Sequence, residues 1–488
     1  MQPKNYSYPE LNKFIVSDTL RLQNCLKLIE KNESGFVFVC NKKDKLIGVV
    51  TDGDIRRYLI RKTNINSLVT NVMRKNFVSL SINAKPEKIR EKFSSEIKFI
   101  PLVDSNNKIV DMASIYRFSL LPLFEPYLKG NERKYINRCI DSGWIAKGEY
   151  VKKFEEAFGR NIGTSNTISV TSGTSAIQLA LMTLGVGQGD EVIVPTLTFA
   201  AVYNAVIFSG AKPVMVDIDL ETLGLNHKLI EKKVSKKTKA IIPVHLYGCP
   251  VDIENICKIA KKFNLFVIED CAEALGSYYK KKHVGIFGDA GTFSFYGNKT
   301  ISTGEGGMVV FKSKKNFNKA MLIKNNGMSA TKAYWHEDYG LNFKMTNIQA
   351  SIGLAQIEQF PKILNRKKQI ADYYIKKLSK LKTVQLVKTP KECVNSYWLF
   401  TIILNNQSKI SRDKLIKKFM LNGIETKRVF FAADEMHVFK KYIIRKEIFP
   451  NSKLASANGL CLPSFVSLKK TSLDRIISII ERETLQKA

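Results

Sequence analysis

Lys299 is the residue of this chain best placed to do chemistry. It lies in FSFYGNKTISTGEGGMVV, residues 293–310, between an aromatic strand-like run and a glycine-rich turn that leads into a second apolar strand. That setting holds one amine in a tight pocket. A lysine taken out of water gives up its proton more readily and can form a Schiff base with an aldehyde. Asp270 closes an apolar run in the IED of 268–270. Ser172-Gly173-Thr174, within TSGTSA at 171–176, lies between a strand-like and a helical stretch, where backbone N–H groups and hydroxyls can hold a phosphate. Amine, carboxylate and phosphate cradle are the three fixtures that pyridoxal phosphate needs from a protein.

Each fixture has a plainer reading on its own. SGTS is a common strand–turn–helix cap. Asp270 could be a helix N-cap, and Glu273, three residues on, could complete it. The cofactor reading gives both acids work. A buried Asp270 would keep the pyridine nitrogen protonated through a charge-assisted hydrogen bond, and Glu273 would reach the ring oxygen. Phe199, ending Pro195-Thr196-Leu197-Thr198-Phe199, would cover a ring face, although alone it reads as core.

These residues need a frame. Short apolar runs at 168–170, 191–194, 213–216, 240–244 and 265–268 alternate with helical spacing at 175–184, 200–209 and 253–263. Unalternating strands separated by helices predict an α/β fold with a largely parallel sheet covered on both faces. From about 347 onward, long helical stretches surround one β run at 397–404, which predicts a smaller α+β lobe. The first 115 residues or so differ. Strands are predicted at 36–40 and 46–50, with a helix from Thr51 or Asp52 onward. A weaker copy follows at 99–103 and from Ile109, and helical segments at 18–31 and 84–94 precede the two copies. This is an approximate internal repeat. The boundaries read as 1–118, 119–360 and 361–488, with a linker near 116–126.

Composition narrows the possibilities. The 488 residues carry a formal net charge of +33, yet the lysines are spread along the whole chain. No zinc-finger spacing or RRM-type motif accompanies them, so a dedicated nucleic-acid site is not expected. The positive field would suit a diphosphate-bearing small substrate. The eight cysteines form no CxxC pair, which argues against a zinc site or disulfide scaffold and fits a reducing cytoplasm. No metal site is predicted. The N-terminus lacks a signal-peptide core, and no apolar stretch reaches membrane-spanning length.

Two resemblances follow. Gly48-Val49-Val50-Thr51-Asp52-Gly53-Asp54 matches the GxxTxxD pattern, and the N-terminal repeat resembles a tandem CBS module. The resemblance implies that Thr51 and Asp54 hold the ribose of an adenine nucleotide. The second copy, Asp111 to Arg117, lacks both residues, so at most one complete site is implied. The alternative is a purely structural or dimerising module.

The remainder, roughly 121–485, resembles the DegT/DnrJ/EryC1/StrS aminotransferases, of pyridoxal-phosphate fold type I. SGWIAKGEYVKKFEEAF, TSGTSAIQLALMTLGVGQGDEVIVPTLTFAA, KAIIPVHLYG, VIEDCAEALGS, GDAGTFSFYGNKTISTGEGGMVV and GLNFKMTNIQASIGLAQIE carry it, in order. It implies that Lys299 bonds the cofactor and shuttles the proton, that Asp270 pairs with the pyridine nitrogen and that Phe199 stacks on the ring. Glu273 stands where the family often has Gln. Gly173, Thr174 and Ser294 would hold the phosphate. Asn342 would reach the phosphate of a neighbouring subunit, which makes the active unit at least a homodimer. FSFYGNKT, YWHEDYGLNFKMTN and GIETKRVFF are most similar to members that aminate C4 of GDP-4-keto-6-deoxymannose with glutamate, leaving 2-oxoglutarate. Two departures touch the substrate. Lys344 replaces the usual arginine, and Asp434 stands at a usual histidine. Two other readings remain: a nucleotide-sugar 3-dehydratase, in which histidine replaces the lysine, and a nucleotide-sensing regulator with an inert catalytic half.

Overall fold

The computed structural model describes residues 11–485 apart from 33, 63, 85, 95, 115–120 and 444–446. It divides into two compact units, Met1–Leu121 with Met420–Ile424, and Pro122–Phe419 with Glu425–Ala488.

The first unit contains the predicted repeat. Ile15–Ser17 runs parallel to Phe36–Cys40, which forms an antiparallel hairpin with Leu46–Thr51. Leu80–Ser81, Phe99–Val103 and Ile109–Ser114 repeat that arrangement. The two hairpin turns share their chemistry. Asn41 Oδ1 accepts from the N–H of Lys43 and Lys45, and Asp104 Oδ1 from those of Asn106 and Lys108. Asp44 and Asn107, each three residues after its acceptor, take left-handed φ angles of 58° and 63°, a conformation that Asn and Asp tolerate. Helices form at Leu22–Asn32, Asp52–Lys62 and Pro86–Lys92. The end of the second copy's motif, 115–117, and the first part of the predicted linker, 116–120, lie outside the described residues.

The second unit is built on a seven-stranded sheet: β1 (Thr167–Val170), β2 (Glu191–Pro195), β3 (Lys212–Val216), β4 (Thr238–Ile241), β5 (Phe266–Asp270), β6 (Ala290–Ser294) and β7 (Gly307–Phe311). The spatial order is β1-β7-β6-β5-β4-β2-β3. Neighbours from β6 through β3 are parallel, while β7 runs antiparallel to both β6 and β1. Most strand residues are buried, the exposed ones being Lys212 and Lys239, as a sheet covered on both faces requires. Parallel strands put their C-terminal ends on one edge, where ligands of open α/β sheets bind. Asp270 and Ser294 are the last residues of β5 and β6. Helix α1 (Gly173–Thr183) starts just past β1, and Lys299 lies in the β6–β7 connection.

The C-terminal part adds a four-stranded antiparallel sheet of Val384–Leu386, Phe400–Leu404, Gly459–Leu462 and Lys427–Arg428. The strand predicted at 397–404 begins only at Phe400, so Trp398 is free to sit in a connection. Helix α2 (Asn347–Leu378) starts with a Thr346/Gln349 capping box and runs through Pro361 without a break, across the boundary predicted at 360/361. Among the described residues no helix is long and apolar enough to cross a membrane.

Candidate active site

The predicted residues converge on a cavity of about 370 Å³, lined among others by Gly173, Thr174, Phe199, Asp270, Glu273, Ser294 and Lys299. Lys299 Nζ is 3.4 Å from Glu273 Oε1 and 4.0 Å from the centre of the Trp398 ring. The other Glu273 oxygen accepts from the Tyr247 N–H at 2.9 Å. Burial pushes the Glu273 carboxyl above the ordinary carboxylate range, with Lys299 pulling against it. Burial likewise raises Asp270, opposed by the N–H of Ala272 and by the charge of Lys299. Ala272 N, 3.0 Å from Oδ1, is the one hydrogen-bond donor to this carboxylate among the described residues. Asp270 therefore keeps accepting capacity for a cation placed in the cavity.

Another part of the lining suits an anion. Ser172 spends its hydroxyl on capping Ser175 N. The N–H groups of Gly173 and Thr174 take no partner among the described residues, and the helix dipole favours negative charge there. Glycine is required at 173, since a Cβ would come within 2.8 Å of Ser294 Cβ. It lets the helix start close against the end of β6.

Aromatic rings form one wall. Phe199 is 59% exposed and rests on Phe430 at 5.7 Å. Phe430 stacks on Tyr247, and Tyr247 on Trp398 with their planes 5° apart. Tyr247 holds a left-handed φ of 54°, a strained conformation that directs its N–H to Glu273 and its ring into the stack. Trp398 and Phe430 were not picked out as site residues by sequence reasoning. They come from segments far downstream, and nothing local marks them.

Asn342, expected to serve a neighbouring subunit, is exposed and stands outside this chain's own cavity lining. Asp434 lies in the turn Ala433–Glu435 and pairs with Lys453 at 3.2 Å instead of lining the cavity. From that segment it is Phe430 that lines the cavity. Lys344 Nζ donates to Asn325 at 3.0 Å.

Beneath the site, His245, Glu269 and Cys271 are close enough to hold a metal ion, but the ligand atoms of His245 and Glu269 are engaged. His245 Nδ1 accepts from Val251 N, which leaves Nε2–H to donate to Glu269 at 3.1 Å. Glu269 also accepts from the N–H groups of Gly285, Phe287 and Gly288. The arrangement anchors the strand that ends in Asp270.

In the first unit, Thr51 and Asp54 bond each other. Asp54 Oδ2 accepts from Thr51 Oγ1 at 2.7 Å and from Thr51 N at 3.1 Å. Asp54 Oδ1 pairs with Arg57 at 2.5 Å and Arg74 at 2.8 Å. Burial opposes the charge, but the bonds from Arg74, Thr51 and Arg57 hold this carboxyl below its ordinary range.

Comparison with known proteins agrees with this geometry. The CBS domain model matches 11–61 and 69–118. The DegT/DnrJ/EryC1/StrS aminotransferase model matches 126–481. A GDP-perosamine synthase of Escherichia coli O157:H7 is 45% identical over 362 residues, 74% of this chain and 97% of that protein. One from Vibrio cholerae is 41% identical over 363 residues, 74% and 98% of the two chains. Among solved structures, the sugar aminotransferase Spr1654 of Streptococcus pneumoniae in its PLP form superposes with a TM-score of 0.71 at 27% identity, covering 75% of this chain and 98% of its own. The chain belongs to the DegT/DnrJ/EryC1/StrS aminotransferase family.

Proposed function

We propose that this chain uses pyridoxal phosphate to move the amino group of glutamate to the keto carbon of a nucleotide-linked 4-keto-6-deoxy sugar, with GDP as the leading nucleotide. The observation that carries the reading is the convergence of three features on one cavity: Lys299 Nζ, an incompletely bonded buried Asp270, and unpaired N–H groups at the start of α1. That donor set fits the cofactor end to end. The GDP-perosamine synthases at 45% and 41% identity support the substrate class.

Bound there, the cofactor supplies an electron sink for carbanion chemistry. The protein supplies position and charge. Lys299 Nζ would hold the aldehyde and, when free, would accept the proton from the donor's Cα. Asp270 would keep the pyridine nitrogen protonated. Glu273 would serve the ring oxygen, Phe199 would cover a ring face, and Gly173, Thr174 and Ser294 would hold the phosphate. Asn342 serves the cavity of a second copy, which makes the working unit a homodimer or larger assembly. The reaction belongs in the cytoplasm. Lys299 also weighs against the dehydratase alternative, which calls for histidine there.

Assay of the pure enzyme with glutamate against GDP-, UDP- and dTDP-4-keto sugars tests the substrate. Amination of the GDP sugar is expected; turnover of another sugar alone would overturn the GDP assignment. Borohydride trapping with peptide mapping should label Lys299, and a label elsewhere would overturn the mechanism.

For the first unit we propose adenine-nucleotide binding at Thr51 and Asp54. Arg57 and Arg74 occupy one oxygen of Asp54, so a ribose must displace at least one of them. Titration with ATP, ADP and AMP of wild type and Asp54→Ala tests this, and absence of binding to wild type ends it.

A further inference from the structure

A second lysine, unused in the reaction proposed above, lies behind the cavity. Lys367 belongs to α2 and is 5% exposed. Its Nζ donates to the carbonyl oxygens of Trp398 at 3.1 Å and Ser464 at 3.0 Å, and no carboxylate pairs with it among the described residues. Arg366 and Tyr374 on the same helix grip the adjoining carbonyls of Val466, Leu468 and Pro463. Of these three side chains, Lys367 is the one that also bonds Trp398.

Trp398 connects this clasp to the reacting amine. Its ring lies 4.0 Å from Lys299 Nζ, and its indole N–H donates at 2.6 Å to the carbonyl of Asn298, the residue before Lys299. Lys367, Trp398, Asn298 and Lys299 thus form one continuous chain of contacts. All four also line a small cavity of about 20 Å³, room for a single water. Asn298 Oδ1 is buried and takes no partner among the described residues, and an unsatisfied buried acceptor of that kind calls for a donor.

The donor count at Lys367 fits. A neutral amine has two N–H groups for its two carbonyls and a lone pair to spare, whereas an ammonium carries a third N–H that needs a partner. Burial without a counter-charge lowers Lys367 to about 7.

We propose that Lys367 is a positioning residue of the transamination, acting on Lys299 through Trp398, with one water in the small cavity bridging it to Asn298. The proposal rests on Lys299 being the reacting amine. A misplacement of that amine by a fraction of an ångström slows reaction steeply.

The test is a double-mutant cycle on the full-length enzyme with Lys367→Met and Trp398→Phe. Two quantities are followed: kcat and KM for glutamate, and the rate at which pyridoxal phosphate alone becomes attached to Lys299, read from visible absorbance and borohydride trapping. Lys367→Met should lower kcat and the attachment rate about 10-fold or more, with KM changed less than threefold and an unchanged circular dichroism spectrum. In the double variant the two losses should fall well short of multiplying. Fully multiplying losses, or a Lys367→Met enzyme within twofold of wild type, would overturn the proposal. If Lys367→Met does not fold, Lys367→Gln, which keeps two N–H donors without charge, takes its place in the cycle. Retained attachment with Gln supports the proposal, and loss equal to that of Lys367→Ala counts against it. If no sugar is aminated, the functional reading has failed, while the attachment rate still decides the link to Lys299. An ordered water within hydrogen-bond distance of Asn298 Oδ1 and Lys367 Nζ in a crystal structure would support the bridge, and a dry cavity would overturn it.

Discussion

Asp54 and Asp270 make an instructive pair. Asp270 ends a buried strand and Asp54 stands in the first turn of the helix after one, and they are almost equally inaccessible, at 6% and 8% exposure. Their surroundings push them in opposite directions. Asp54 meets two arginines and both donors of Thr51, and its carboxyl is held down. Asp270 meets one backbone N–H, and burial holds it up. A carboxylate whose oxygens are filled from within its own unit stabilises the fold. One left open to a cavity is costly until a cationic group arrives, and that is how a site preformed for a cation differs from one whose acceptors are already paired.

The largest expected effects separate the open site from the closed one. Lys299→Ala should lower turnover by about 10³-fold or more while leaving the protein folded, measured as kcat with glutamate and circular dichroism. Asp270→Asn should cost about 10²-fold or more in turnover, since the pyridine nitrogen loses its anionic partner. Its apoprotein should nonetheless be as stable as wild type or more so, because a poorly compensated buried charge is gone. Asp54→Ala should do the reverse to stability. It strips acceptors from Thr51, Arg57 and Arg74 and should cost about 1–3 kcal/mol in denaturant unfolding of the first unit. The arginines are more than half exposed, which keeps this at the lower end. Equal stability effects from the two variants would erase the contrast.

Smaller effects follow from pH. The Lys367 pKa is depressed to about 7 in the fold, so the unfolded chain binds the extra proton between that value and the ordinary lysine range. Wild type should therefore gain stability over Lys367→Met on going from pH 7 to 9, by about 1.4 kcal/mol per pH unit at most, and lose it again as pH falls toward 7. Paired denaturation curves check this. Acid sharpens the comparison of the two aspartates. The lowered Asp54 contributes stability above its unfolded pKa that vanishes as pH falls through its folded value, so the defect of Asp54→Ala should shrink in acid. The raised Asp270 is least costly below its unfolded pKa and destabilises as pH rises through its folded value, so any advantage of Asp270→Asn should appear near neutrality and fade in acid. Melting temperatures of the apoproteins across that range decide it.

Much of this was legible in the residues. Unalternating apolar runs foretold the buried parallel sheet, because a strand covered on both faces has no polar side to show. The repeat in the first unit was visible because both copies use the same turn, built on Asn41 and Asp104. Lys299, Asp270, Glu273 and Gly173-Thr174 were legible because each lies at a strand end or a few residues beyond one. The reversed direction of β7 left no mark, since an antiparallel strand buried on both faces has the same composition as a parallel one. Cys271 and its neighbours His245 and Glu269 gave no sign that they would gather under Asp270.

The chain by itself determined which residues can do chemistry and where the strands that carry them stop, since periodicity and end residues are local properties. Only the tertiary structure decided which of them share a cavity. It brought Trp398 beneath Lys299 and Lys367 behind Trp398, kept Asp434 away from the cavity on Lys453, and closed Asp54 with Arg57 and Arg74. Those outcomes depend on contacts between segments far apart in sequence, whose register is set by packing, and no local pattern encodes them.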